Sequence, residues 1–347
     1  MRLGDLNVGR DSAPVIVAEL SGNHNGSLDL ALEIVEAIAK SGAQALKLQT
    51  YTADTMTLDL SEREFFISNP DSLWQGSSLY SLYQKAYTPW EWHAPIFERA
   101  RKLGLVVFST PFDASAVDFL ESLDAPAYKI ASFENLDHAL IRRVAATGKP
   151  VIISTGMATL ADVDEAVRAA RDAGCRELVL LKCTSNYPAD PASANLRTIP
   201  FLRETYGCEV GLSDHTLGFG AAVASVALGG TMIEKHVTME RAQGGVDAAF
   251  SLEPTELRTL VAETRRAWQA IGSIQTGPSA EEIPSLVFRR TLYVCEDLQP
   301  GDELTPVNLR AIRPGLGLAP KHLPTLLGKR VNRAVKRGTP ASWDLIG

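Results

Sequence analysis

Two histidines stand in matching surroundings, Ser213-Asp214-His215 and Glu234-Lys235-His236. Each follows a short apolar run, 210–213 and 231–234, and small and apolar residues at 218–228 join the two. The pattern reads as strand, buried helix, strand. Neighbouring parallel strands lie about 4.8 Å apart, so imidazoles at adjacent strand ends can share one cation. Two protein ligands leave an open site in which water and substrate complete the shell, and the chemistry of such a site is polarisation of a bound oxygen. The plain alternative is a pair of hydrogen-bonded histidines beside a core.

Other apolar runs also end in polar residues. These are Glu19; Lys47 and Gln49; Ser109 and Thr110; Lys129 and Ser132; Ser154; Lys182, Thr184 and Ser185; Ser213; and Glu234. Lysines supply point charge and hydroxyls supply directed donors, the combination a small polyanion requires. Helix capping accounts equally well for Ser109 and Ser154. Lys129 lies inside the apolar run AYKIAS, and a buried lysine needs an anionic partner. Together these groups predict a phosphorylated or carboxylated substrate beside a divalent cation. Glu19 is the candidate acid/base or water-orienting group, or else the salt-bridge partner of a strand-end lysine.

These residues need a frame that gathers strand ends. Eight apolar runs begin near Val15, Ala45, Leu105, Ala127, Val151, Leu178, Val210 and Thr231, each followed by a helical pattern. That rhythm over residues 1–271 predicts a (β/α)8 TIM barrel, whose chemistry belongs at the C-terminal ends of its strands. Residues 50–88 interrupt the rhythm with a long insertion carrying Trp74, Tyr80 and Tyr83, either a lid or a segment packed onto the barrel. Residues 272–283 read as a linker and 284–347 as a small β-rich domain with runs TLYVCEDL, NLRAIRP and RAVKRGTP.

The composition is that of an ordinary globular protein, 45% hydrophobic and 22% charged, with net charge −7. No basic run suggests a nucleic-acid partner, and no stretch approaches the length of a membrane span. Cys175, Cys183, Cys208 and Cys295 lack paired spacing and read as free thiols of a reducing compartment. With no apolar signal core at the N-terminus, the expectation is a cytoplasmic protein.

The blocks VAELSGNHNGS, ALKLQTYT, STPFD, AYKIASFE, STGMAT, LLKCTSNYP, GLSDHTLG, IEKHVT and GGVDAAFSLEP resemble the sialic acid synthase family. RRTLYV, IRPGLGL and LLGK resemble that family's antifreeze-like (SAF) domain, and the likeness covers essentially the whole chain. KLQTYT, LYSLYQKAYTPWEWH and DAAFSLEP are closest to the pseudaminate branch.

The resemblance implies condensation of phosphoenolpyruvate with an open-chain N-acylated amino sugar, 2,4-diacetamido-2,4,6-trideoxy-L-altrose in that branch. The neuraminate and legionaminate branches, using N-acetylmannosamine or another diacetamido-trideoxy hexose, are the alternatives. It implies Mn2+ or Mg2+ on His215 and His236, and phosphoenolpyruvate on Lys47, Thr110, Lys129, Ser132, Ser154, Ser185 and Ser213. Proton and water steps fall to Glu19, and sugar contacts to Gln49, Tyr187 and Asp247. Arg313 would reach the sugar from the partner chain of a homodimer with swapped SAF domains. The block CTSNYP departs from the neuraminate pattern, which has asparagine at position 185, so either Ser185 or Asn186 could meet the phosphate. A sugar-phosphate synthase would need a second cationic cluster. A non-catalytic glycan-binding protein would not need strand ends stocked in this way.

Overall fold

The computed structural model describes residues 1–346 of the 347. The chain divides into two compact units, Met1–Gly272 and Ser273–Gly347.

In the first unit a hairpin of β1 (Arg2–Leu3) and β2 (Leu6–Asn7) precedes eight strands. These are β3 (Val15–Glu19), β4 (Ala45–Thr50), β5 (Val106–Pro111), β6 (Tyr128–Ile130), β7 (Val151–Ser154), β8 (Leu178–Cys183), β9 (Glu209–Ser213) and β10 (Met232–His236). Each pairs in parallel with its neighbours in chain order, and β10 returns to β3, so the sheet closes as the expected barrel. The strands read as continuous apolar runs because both faces are buried. Val17, Ala45, Phe108, Ile152, Leu181 and Met232 fill the interior. Their sequence neighbours, such as Ala18, Leu46, Val107, Ile153 and Leu180, face the helix layer. Leu3 and Val8 join the interior cluster, so the N-terminal hairpin plugs the barrel floor, a feature absent from the sequence expectations.

Local signals set the helices. Helix Leu28–Ser41 starts at Ser27, whose hydroxyl accepts from Leu30 N, and stops at Gly42 in the left-handed region. Helix Leu160–Asp172 opens with a reciprocal box between Thr159 and Asp162. The insertion forms short helices at Ala53–Met56 and Leu79–Ala86. Its aromatics pin it down: Tyr51 meets Tyr83 and Phe112 edge-on, and Trp74 Nε1 donates to the Val246 carbonyl at 2.9 Å.

In the second unit, residues 273–282 are largely exposed and carry no helix or strand. The antiparallel pair β11 (Thr291–Val294) and β12 (Leu309–Ile312) then packs around Leu292, Leu298, Leu304, Val331 and Leu345. The RAVKRGTP run, read as β-like, makes only single bridges, Leu298 to Val335 and Tyr293 to Pro340. Gly301, Gly328 and Gly338, all at positive φ, turn the chain too often for longer ladders to form.

Candidate functional site at the barrel mouth

Strand parity decides which side chains meet. Continuing the interior positions upward brings Glu19, Lys47, Gln49, Thr110, Lys129, Ser154, Ser213, Glu234 and His236 to the axis at the C-terminal end. The same parity corrects one expectation. Lys182 alternates with the interior residues Leu181 and Cys183, so it faces outward, where its Nζ donates to the Cys183 carbonyl at 2.7 Å.

Four buried charges form the centre. Lys47 is paired with Glu19 and lies 3.7 Å from Glu234 Oε2. Lys129 is 3.7 Å from Glu234 Oε1, which also accepts from Ser213 Oγ at 2.9 Å. Lys47 Nζ donates to Thr110 Oγ1 at 3.1 Å. Burial pushes the Glu19 pKa up, with Lys47 opposing. Burial works against the Lys47 charge, but Glu19 and Glu234 outweigh it and raise its pKa. For Lys129 burial prevails over Glu234 and its pKa falls. The Lys47–Glu19 pair is the salt bridge that the sequence offered as the alternative role of Glu19, and Lys129 also has a carboxylate, Glu234, beside it.

Hydroxyls surround this cluster. Gly156 N donates to Ser132 Oγ at 3.1 Å. A Cβ on Gly156 would collide with Ser132 Oγ and Ser185 Oγ, so the glycine lets the two hydroxyls converge. Ser185 therefore faces the mouth, while Asn186 is exposed. Ser154 Oγ is buried and has no hydrogen-bond partner among the described residues.

The histidine rings lie with centroids 5.4 Å apart. His215 Nδ1 donates to the Thr184 carbonyl at 3.0 Å; burial works against the ring's charge, but Cys183 and that carbonyl outweigh it and raise its pKa, so binding a cation at Nε2 requires loss of a proton. His236 Nδ1 is buried without a hydrogen-bond partner among the described residues, 3.6 Å from Asp247 Oδ2. Burial, reinforced by His215, holds His236 well below its usual pKa, in the neutral form that ligates metals. The described residues contain no group of three or more His, Cys, Asp or Glu placed to hold a metal ion. The two imidazoles fit the open two-ligand site.

Aromatic rings and one carboxylate wall the other side. Tyr187 lies 4.5 Å from His215 and Phe250 5.0 Å from His236, centroid to centroid. Asp247 is raised by burial, opposed by the hydrogen bond that Ser21 Oγ donates to it. Arg313 belongs to the second unit, exposed and directly after β12.

Two carboxylates of this region were given no role in the sequence reading, although Glu234 stood there among the strand-end groups. Glu234 links both lysines. Glu134, two residues past Ser132, has its pKa pushed up to about 7 by burial against the pull of Lys129, and its Oε2 has no partner among the described residues. The only signal for Glu134 was its place at the end of the block AYKIASFE.

Residues 34–276 match the NeuB family and residues 289–347 the SAF domain. The chain is 43% identical to the pseudaminic acid synthase of Helicobacter pylori over 334 residues, 96% of this chain and 98% of that one. It is 41% identical to the pseudaminic acid synthase of Campylobacter jejuni, covering 97% of both chains. Among solved structures it is similar to the N-acetylneuraminic acid synthetase of Leptospira borgpetersenii in complex with citrate. That likeness has a TM-score of 0.74 and 30% identity, over 82% of this chain and 94% of that one. A closed barrel with a stocked mouth, and matches at this level along nearly the whole sequence, place the chain in the NeuB family, with a SAF domain at its C-terminal end.

Proposed function

We propose that the chain condenses phosphoenolpyruvate with open-chain 2,4-diacetamido-2,4,6-trideoxy-L-altrose, giving pseudaminic acid and phosphate. The observation that carries this reading is the 43% identity, nearly end to end, to a pseudaminic acid synthase. The barrel mouth supports it with two buried lysines, converging hydroxyls and a histidine pair.

His215 and His236 would hold a divalent cation, Mn2+ or Mg2+, which when bound supplies Lewis acidity to the aldehyde oxygen. Lys47 and Lys129, with Thr110, Ser132, Ser154, Ser185 and Ser213, would hold phosphoenolpyruvate by charge and directed hydroxyls. Gln49, Tyr187 and Asp247 would position the sugar so that its aldehyde carbon meets C3 of phosphoenolpyruvate. C3 attacks, a C–C bond forms and C2 becomes electron-poor. Water adds at C2, the C2–O bond to phosphate breaks, and the ketone forms. Glu19, its pKa raised by burial beside the Lys47 ammonium, would exchange the proton of that water.

The assembly is a homodimer in which the SAF domain of one copy brings Arg313 to the sugar bound by the other. No helix among the described residues is long and apolar enough to cross a membrane, and the chain would work in the cytoplasm, where phosphoenolpyruvate is made.

Phosphoenolpyruvate labelled with 18O at its bridging oxygen tests the chemistry. With the altrose acceptor the label should leave in phosphate alongside a nine-carbon 2-keto acid. Label retained in the organic product contradicts C–O cleavage.

A further inference from the structure

Lys235 lies where a barrel wall ordinarily carries an apolar residue. Its neighbours Glu234 and His236 face the axis, so Lys235 faces the helix layer, with 0% exposure. Its register partner on β3 is Ala18. Lys235 Nζ donates to Asp214 Oδ2 at 2.8 Å and to the Thr216 carbonyl. Asp214 is also buried. Its second oxygen accepts from Thr216 N at 2.9 Å, and its own N donates to the Glu234 carbonyl at 2.9 Å.

The two residues that flank His215 are thus both held by the residue that precedes His236. A buried ion pair is a weak stabiliser, since two well-packed apolar side chains of the same volume serve as well or better. What apolar side chains cannot do is fix the direction of the turn that carries His215. A second brace meets that turn from β8: Ala189 N donates to the His215 carbonyl at 3.0 Å, and His215 Nδ1 to the Thr184 carbonyl. Without Lys235, the β10 side of the turn keeps only one backbone bond, from Asp214 N to Glu234.

We propose that Lys235 and Asp214 are positioning residues: an ion pair behind the barrel wall that sets the relative direction of His215 and His236, and with it the cation affinity of the site. This rests on the reading of the two histidines as cation ligands. Neither Lys235 nor Asp214 touches substrate or cation; the pair acts through the backbone on both sides of His215 and through the residue next to His236.

Mn2+ binding to the full chain without substrates, read from the electron paramagnetic resonance of the free ion, is the test. Asp214→Asn and Lys235→Met should each weaken Mn2+ binding by about 10- to 100-fold, the range for partners that orient ligands. Each should also lower the melting temperature, because one charge is left buried alone. The double variant Asp214→Asn/Lys235→Met should recover the melting temperature but not the Mn2+ affinity, and Lys235→Arg should keep most of both. If the single variants fail to fold, the double variant carries the test. Unchanged Mn2+ affinity in the double variant, with His236→Ala losing it, overturns the positioning role and leaves the cation reading standing. A wild-type chain that binds no Mn2+ overturns both.

Discussion

Lys47 and Lys129 share one carboxylate: the two oxygens of Glu234 lie 3.7 Å from one ammonium each. Lys47 has Glu19 as well. Among the described residues Lys129 has no other carboxylate within ion-pair distance. Burial already lowers the Lys129 pKa, and Glu234 is the chief group opposing it. Glu234→Gln should lower the Lys129 pKa further and raise KM for phosphoenolpyruvate tenfold or more. Breaking a buried pair from one side should also cost about 3 kcal/mol of stability. Steady-state kinetics and thermal unfolding of the variant check both parts.

Ser154 separates binding from stability. Its hydroxyl is buried, without a hydrogen-bond partner among the described residues. Removing such a group is close to neutral for folding, whereas a hydrogen bond to a charged ligand contributes about 1.5–3 kcal/mol. Ser154→Ala should therefore melt within a degree or two of the parent chain while KM for phosphoenolpyruvate rises about tenfold. A large loss of melting temperature with unchanged KM would make the serine structural.

Acid should unfold the barrel through two buried histidines, His24 and His93. His93 is fully buried, receives a hydrogen bond from Thr50 Oγ1 at 2.9 Å and donates to the Pro89 carbonyl. Burial lowers its pKa to about 4, against smaller upward pulls from Pro89, Trp90 and Glu91. Burial lowers His24 to about 4 as well. Both folded values lie below the ordinary 6.5, so between pH 6.5 and 4 the unfolded chain binds more protons and stability falls as the pH falls. The loss is about 3 kcal/mol for each histidine by pH 4, and none of it is present above pH 7. Urea unfolding at a series of pH values measures it, and His93→Gln should flatten the curve by roughly half.

The proposed dimer has a refolding test. Arg313→Ala and Lys129→Ala chains should each be inactive. Unfolded and refolded together, they should regain about a quarter of the wild-type activity per chain, because a mixed swapped dimer contains one site with both residues intact. Mixed dimers without activity would place Arg313 on its own chain's site or remove its role.

The barrel was legible because eight strands buried on both faces are written as apolar runs, and Lys129 stood out as a charge inside one of them and Lys47 at the end of another. Lys182 misled because the run LVLLK reads as ending on it, whereas β8 continues to Cys183 and one residue of parity turns the lysine outward. The link between Glu234 and both lysines depends on three strands meeting around a closed ring, which no local pattern records. The N-terminal plug was illegible because its strands have two residues each, too few for any period to show.

Phosphate release from phosphoenolpyruvate, with and without chelator, tests the central claim most directly. The acceptors are 2,4-diacetamido-2,4,6-trideoxy-L-altrose, its legionaminate-pathway counterpart and N-acetylmannosamine. The account predicts chelator-sensitive release with the altrose alone. Release with N-acetylmannosamine in its place would contradict the pseudaminate assignment, and the absence of release with every acceptor would contradict the enzyme itself.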